Sequence, residues 1–260
     1  MADPRVTASQ DGAVGLITLN HPKANNYDLH FMKDLDAAIE SMRANESVRV
    51  VVMKSALEKF FSAGADIKAF LANTTADNMT MIRFAHETLS KIAKVPKVFI
   101  AALGGHALGG GLEMALACDL RTAADGKFGL GLPEVKLGLL PGNGGTQRLP
   151  RLIGRTPALS MIITGEPVSP RRAYELGFVD QLFPPESHLE ETMAFARKLA
   201  TGATRAMADI KRAIHEGMEM PLDKALALEC EMFGPALDSA DGREGMTAFA
   251  ERREAVFTGR

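Results

Sequence analysis

Two small-residue loops and two glutamates are the places where this 260-residue sequence can do chemistry. Phe61-Ser62-Ala63-Gly64-Ala65-Asp66 sets four small residues in a row, which lets a backbone turn sharply and approach a ligand closely. Asp66 is placed to cap a short helix that begins with Ile67-Lys68. Gly104-Gly105-His106-Ala107-Leu108-Gly109-Gly110-Gly111-Leu112-Glu113 puts three glycines directly before a helical stretch. Free N–H groups then gather at a helix N-terminus, where they and the helix dipole stabilise an oxyanion or a phosphate. Glu113 follows in an apolar segment of Leu112, Met114, Ala115, Leu116 and Ala117. A carboxylate there is a first-turn residue favoured by the dipole or an acid/base beside an anion hole. A solvated surface glutamate is the poor reading, because an unpaired buried carboxylate is costly. Glu134, in Leu132-Pro133-Glu134-Val135-Lys136-Leu137-Gly138, is a second acid among apolar residues; its local alternative is a surface charge beside Lys136. Gly142 to Gly145 can open another helix and shape a cavity wall.

Other chemistries find little support. The glycine spacing is not G-x-G-x-x-G, and no Gly-Lys-Ser/Thr follows it. No Gly-x-Ser-x-Gly elbow and no His/Cys/Asp cluster with metal-ligand spacing occurs. His106 has no oriented partner carboxylate in sequence and reads as structural. The two cysteines, Cys118 and Cys230, cannot build a disulfide scaffold, and Cys118 reads as a small core residue. Thirty Lys and Arg stand against 32 Asp and Glu, a net charge of −2, so no overall field attracts a polyanion. Trp is absent and Tyr occurs twice, against stacking platforms for single strands. The longest uncharged stretch, Val98 to Leu112, is broken by glycines and is shorter than the roughly 18 apolar residues of a membrane span. The first dozen residues have neither a secretory nor a transit pattern. The expectation is a reduced, soluble, cytoplasmic protein without membrane or nucleic-acid partners.

The elements that must position these residues alternate in the first half. Val14 to Asn20 reads as a strand meeting a turn at His21-Pro22. Leu29, Met32, Leu35, Ile39 and Met42 recur as an amphipathic helix. Val48 to Met53 is a buried strand, and Phe60-Phe61 a strand before the first loop. Leu71 to Asp77 reads as a polar, mobile segment. Met81, Phe84, Ala85, Leu89 and Ile92 mark a second long helix, and Val98 to Leu103 another strand. Asp119 to Thr122 and Val135 to Leu140 read as short extended pieces. This predicts an α/β chain with crossover helices. After Pro150 the pattern is mostly helical, around 155–163, 170–176, 187–201, 203–217, 221–233 and 243–256. Pro184-Pro185 is the candidate boundary between an α/β core over 1–185 that holds the site and a helical region over 186–260. Met218 to Phe233 carries more apolar positions than one helix stripe needs, suited to a second subunit or to an intramolecular lid.

Taken together, Phe61 to Lys68, Ala107 to Asp119, Leu132 to Leu149 and the tail from Arg243-Glu244-Gly245-Met246 to Phe257 resemble the crotonase superfamily, the enoyl-CoA hydratase/isomerase family, over nearly the whole chain. The resemblance implies an α/β spiral of repeated ββα units followed by a helical trimerisation region, in homotrimers or hexamers. It implies an acyl-CoA substrate whose thioester carbonyl lies between the N–H groups of Ala65 and Gly110. Coenzyme A then enters as part of the substrate, with no separate cofactor and no metal. By motif position, Ala63, Asp66, Ile67 and Lys68 line the coenzyme A path. Phe249 and Arg252 of the tail reach it, from the same or a neighbouring subunit. Family hydratases carry two glutamates, matched here by Glu113, for water activation, and Glu134, for protonation at Cα. A double-bond isomerase or another acyl-CoA enzyme of the family is the runner-up. Two departures stand out: Asn26-Tyr27-Asp28 has Tyr-Asp where relatives usually have small and apolar residues, and Phe128 to Leu132 is longer than the common spacing before Pro-Glu.

Overall fold

The computed structural model describes residues 4–259. β1 (Val6–Asp11) and β2 (Val14–Leu19) form an antiparallel hairpin. After α1 (Leu29–Ala44) the chain runs β3 (Val50–Ser55), β4 (Phe60–Ser62), α2 (Ile67–Ala72) and α3 (Thr75–Lys94). It continues with β5 (Val98–Leu103), β6 (His106–Leu108) and α4 (Gly110–Ala117), then β7 (Leu120–Ala124) and β8 (Leu130–Gly131). A 3-10 turn (Pro133–Leu137), α5 (Gly145–Ile153), α6 (Arg155–Thr164), α7 (Pro170–Leu176) and β9 (Gln181–Phe183) follow. The chain closes on α8 (His188–Ala200), α9 (Thr204–Gly217), α10 (Leu222–Asp238) and α11 (Ala240–Glu251).

In each of the pairs β3/β4, β5/β6 and β7/β8, the first strand joins a large sheet and the second a small one. The large sheet is ordered β1-β2-β3-β5-β7-β9 and the small one β4-β6-β8. From β2 to β9, and throughout the small sheet, neighbours are parallel. Parallel neighbours need crossovers, and α1, α2–α3, α4 and α5–α7 supply them in turn. The result is the expected spiral of ββα units. The large sheet is covered on both faces, which is why its strands read as unbroken apolar runs. In β3, Val51 and Met53 enter the core formed with α1, α3 and α4, while Val50 and Val52 face Met193, Ala196 and Ala200 of α8. A buried polar cluster fastens α8 to β7: Thr122 Oγ1 lies 3.1 Å from His188 Nε2 and 2.7 Å from Thr192 Oγ1. Pro184-Pro185 lies in the loop between β9 and α8, and α9 packs chiefly on α10.

Several segments differ from the sequence expectation. Val135 to Leu140 is not extended. Pro133 opens the 3-10 turn, and Gly138, at φ +72°, ends it by donating to Val135 O. Leu71 to Asp77 is not one continuous loop but spans the end of α2 and the start of α3. α2 runs to Ala72 and α3 starts at Thr75, with Thr74 and Asp77 forming a reciprocal capping box. Polarity there marks a helix start. β1 carries almost no apolar signal because only Val6 is buried.

Candidate active site

The parallel pairing of β4 with β6, Ser62 opposite Ala107, brings the two small-residue loops to the same strand ends. Gly64, at φ +89°, makes the turn after β4; a Cβ on it would stand 2.9 Å from Leu108 O and 3.2 Å from Gly110 N. Any side chain there would push the loops apart. The loop after β4 is held from outside by Asn25, whose Nδ2 donates to Phe61 O and Ser55 Oγ, and by Ser62 Oγ, which donates to Asn25 O. Tyr27 pairs with it as an extra strand residue: Tyr27 N donates to Gly64 O and Asp66 N to Tyr27 O, both at 2.9 Å. This pattern leaves the Ala65 N–H with no acceptor among the described residues. Gly109, at φ +54°, turns the chain into α4, so that Gly110 is its first residue and its N–H is equally free. Asp66 caps α2 as its sequence position suggests, its Oδ1 accepting from Lys68 N and Ala69 N.

Glu113 sits on α4 at 1% exposure. Its Oε1 accepts from Asn143 N at 2.8 Å and from Gly145 N, the first amide of α5, at 2.7 Å. Burial pushes its carboxyl above the ordinary range, opposed by those two amides and by the Arg148 charge. Glu134 occupies the first turn of the 3-10 segment, its Oε1 2.9 Å from where a Cβ on Gly109 would stand. Its Oε2 is buried without a hydrogen-bond partner among the described residues. Burial, with the Glu113 charge adding, pushes the Glu134 carboxyl up to about 7. Two carboxyls and two free amides therefore meet at the ends of β4 and β6.

Three further residues belong to this cluster: Tyr27, which stood out only as a departure from the family pattern, Asn143, from the Gly142–Gly145 stretch, and Arg148, which carried no local signal. Asn143 holds Glu113, accepts from Arg148 on its own carbonyl at 2.7 Å, and donates through Nδ2 to Tyr27 Oη; its Oδ1 is buried without a partner among the described residues. Arg148 extends from α5. The Tyr27 ring lies against Gly110. Ala63 is half-buried at the base of the loop, and Ile67 and Lys68 are exposed on α2. Phe249, 87% exposed, and Arg252, which ends α11 in the left-handed conformation, are not brought to the cluster. The segment after α11 is anchored instead by Arg49, just before β3, which donates to Thr258 O, and by Asp241, which accepts from Thr258 N and Gly259 N. His106 Nδ1 accepts from Gly129 N, a structural role, and Cys118 is buried.

A two-sheet ββα spiral with free amides at adjoining strand ends is a crotonase-superfamily architecture. A family model described as enoyl-CoA hydratase/isomerase matches residues 9–260. The chain belongs to the enoyl-CoA hydratase/isomerase family. It is similar to a crystal structure of an enoyl-CoA hydratase from Geobacillus kaustophilus HTA426, with a TM-score of 0.97 and 45% identity over 100% of this chain and 98% of that one. A Bacillus anthracis enoyl-CoA hydratase superimposes with a TM-score of 0.93 at 34% identity, covering 98% of this chain and 100% of that one. The short-chain-enoyl-CoA hydratase of Clostridium acetobutylicum is 36% identical, over 96% of this chain and 95% of its own length.

Proposed function

We propose that the protein adds water across the 2,3 double bond of trans-2-enoyl-CoA thioesters to give 3-hydroxyacyl-CoA. The observation that carries this reading is the pair of carboxyls, Glu113 and Glu134, beside two amides without acceptors. In this reading the thioester carbonyl accepts from Ala65 N–H and Gly110 N–H. Water attacks Cβ while Glu113 takes its proton, and the electron pair of the double bond moves onto the thioester oxygen as an enolate held by the two amides. Pre-aimed donors of this kind contribute roughly 3–4 kcal/mol each to the transition state. Glu134 then delivers a proton to Cα, and one proton returns from Glu113 to Glu134 to reset the pair.

The environments suit this division of work. Burial pushes the Glu113 carboxyl up, and two amides and a nearby guanidinium oppose that push, favouring its role as the group that takes a proton from water. Glu134 has no such donors on Oε2 and is held near neutral pH, where it retains a proton to give. The unpaired acceptors Glu134 Oε2 and Asn143 Oδ1 supply polar contacts for a bound water. An isomerase that shuttles one proton needs a single carboxyl, so the pair favours hydration.

Ala63, Asp66, Ile67 and Lys68 are assigned to the coenzyme A path, beside the Ala65 donor. Phe249 and Arg252 are assigned to coenzyme A bound by a neighbouring copy, since within one chain they lie exposed and away from the loops. The assembly in this reading is a homotrimer or hexamer. Ile210, Ile214, Met218, Leu222, Leu226 and Phe233, exposed on and between α9 and α10, form the face that needs covering. Among the described residues no helix is long and apolar enough to cross a membrane. The reading places the enzyme in the cytoplasm, in fatty-acid β-oxidation, with no cofactor beyond the coenzyme A of its substrate. Loss of the enoyl-thioester absorbance of crotonyl-CoA on adding the protein is the expected result. An unchanged spectrum across a panel of enoyl-CoA esters contradicts the reading.

A further inference from the structure

Tyr27 is the departure at Asn26-Tyr27-Asp28 for which the hydration chemistry gives no use, and the structure buries it, at 3% exposure, in the middle of the site. Its main chain brackets Ala65, through Tyr27 N to Gly64 O and Asp66 N to Tyr27 O. Its ring covers Gly110: a Cβ built on that glycine would fall 2.2 Å from Tyr27 Oη and 2.4 Å from Cε1. Its hydroxyl accepts from Asn143 Nδ2, and the Asn143 main-chain amide holds Glu113 Oε1 at 2.8 Å. One residue thus touches the loop of each amide donor and, through Asn143, reaches a catalytic carboxyl.

We infer that Tyr27 is a positioning residue that fixes both oxyanion donors through its main chain and ring, and Glu113 through its hydroxyl and Asn143. The inference rests on the oxyanion-hole and hydratase reading above. The two halves of the side chain have separable tasks. The ring packs Gly110 against the Ala65 loop, which sets the distance between the amide donors. The hydroxyl holds the Asn143 amide plane, and so the loop that presents two N–H groups to Glu113.

Tyr27→Phe keeps the ring and deletes the hydroxyl, leaving Asn143 Nδ2 without its partner. The expected result is a fall in kcat with crotonyl-CoA of about tenfold, the effect of one lost hydrogen bond, with KM within about twofold. Asn143→Ser breaks the same bond from the other side, and the double variant should fall no further than the more impaired single variant. Tyr27→Ala deletes the ring as well. Acetoacetyl-CoA reads that loss without turnover, because an oxyanion hole binds it as an enolate that absorbs in the near ultraviolet. Tyr27→Phe should keep the enolate band and Tyr27→Ala should lose most of it. If Tyr27→Ala does not fold, Tyr27→Met, which cannot reproduce the flat contact on Gly110, carries the same expectation. Wild-type kcat in Tyr27→Phe, or a wild-type enolate band in the ring-deleted variant, overturns the inference. A wild-type protein that forms the enolate but does not hydrate would sink the hydratase reading instead, and the ring-deleted variant would still decide this one. A wild type that forms no enolate contradicts both.

Discussion

Glu113 and Glu134 are the same side chain in unequal surroundings. Burial raises both carboxyls, but two backbone amides and Arg148 act on Glu113, while Glu134 Oε2 meets no donor among the described residues. Exchange of either for glutamine keeps the shape and removes the titratable proton. Each change should lower kcat with crotonyl-CoA by about 10²–10⁴-fold. The double change should cost less than the product of the singles, because in the proposed mechanism the two groups act on one water. The rate should also fall as pH rises through about 7, where Glu134 loses the proton it donates, and Glu134→Gln should lack that limb. Stability has the same sign. The folded-state value lies above the ordinary 4.5, so the contribution of the protonated carboxyl is full below that pH and lost as pH rises through about 7. The Tm difference between Glu134→Gln and the wild type should therefore grow in favour of the variant across that window; a constant difference contradicts the assignment. Glu113 stood out in the sequence because a carboxylate in a run of Leu, Met and Ala has few structural explanations, whereas Glu134, between Pro133 and Val135-Lys136, stood out only through the family resemblance. The Tyr27–Asn143 hydrogen bond was not. It joins positions 116 residues apart, and neither partner has local context that implies the other.

Glycine sets how closely the elements of the site approach. Gly110→Pro should abolish turnover, by removing the amide donor and distorting the start of α4. Gly110→Ala should also fail, because the new methyl would fall on the Tyr27 ring. A folded Gly110→Pro protein with near-normal turnover would remove Gly110 from the mechanism. Away from the site, Lys211 clips α9 to the core. Its Nζ lies 2.9 Å from Asp119 Oδ2 and donates to Ile92 O and Lys97 O, with both side chains largely buried. Lys211→Met leaves Asp119 with only the Phe99 amide and the exposed His215 ring as partners and should cost about 3–5 kcal/mol in denaturant unfolding. A loss below about 1 kcal/mol would place that ion pair among exposed ones. The elements that sequence pattern reached include those buried on one stripe or on both faces, β2, α1, β3, α3 and β5, and the helices from α6 to α10. β1 and the 3-10 turn escaped it. Five of the six β1 residues are exposed, and the turn is set by Pro133 and Gly138 rather than by any apolar period.

At the scale of the molecule, the spiral follows from the assignment of alternate strands to two sheets, and the strand–helix alternation of the first half made its α/β class legible. How strands divide between the sheets was not legible, because a short strand such as β8, two residues long, has no pattern of its own. In the proposed assembly a neighbouring copy covers the exposed apolar side chains on α9 and α10. Light scattering should give three or six times the 27.9 kDa chain mass; a monomer at micromolar concentration would leave Phe249 and Arg252 with no route to a bound thioester. The central claim is that two carboxyls and two amides add water to a conjugated thioester, and its most direct test follows the oxygen atom. With crotonyl-CoA in ¹⁸O-water, the account predicts a 3-hydroxy product labelled at Cβ, with labelling rates that collapse in Glu113→Gln and Glu134→Gln. Conversion of a 3-enoyl thioester to the 2-enoyl form without label, at full activity in either variant, would contradict it.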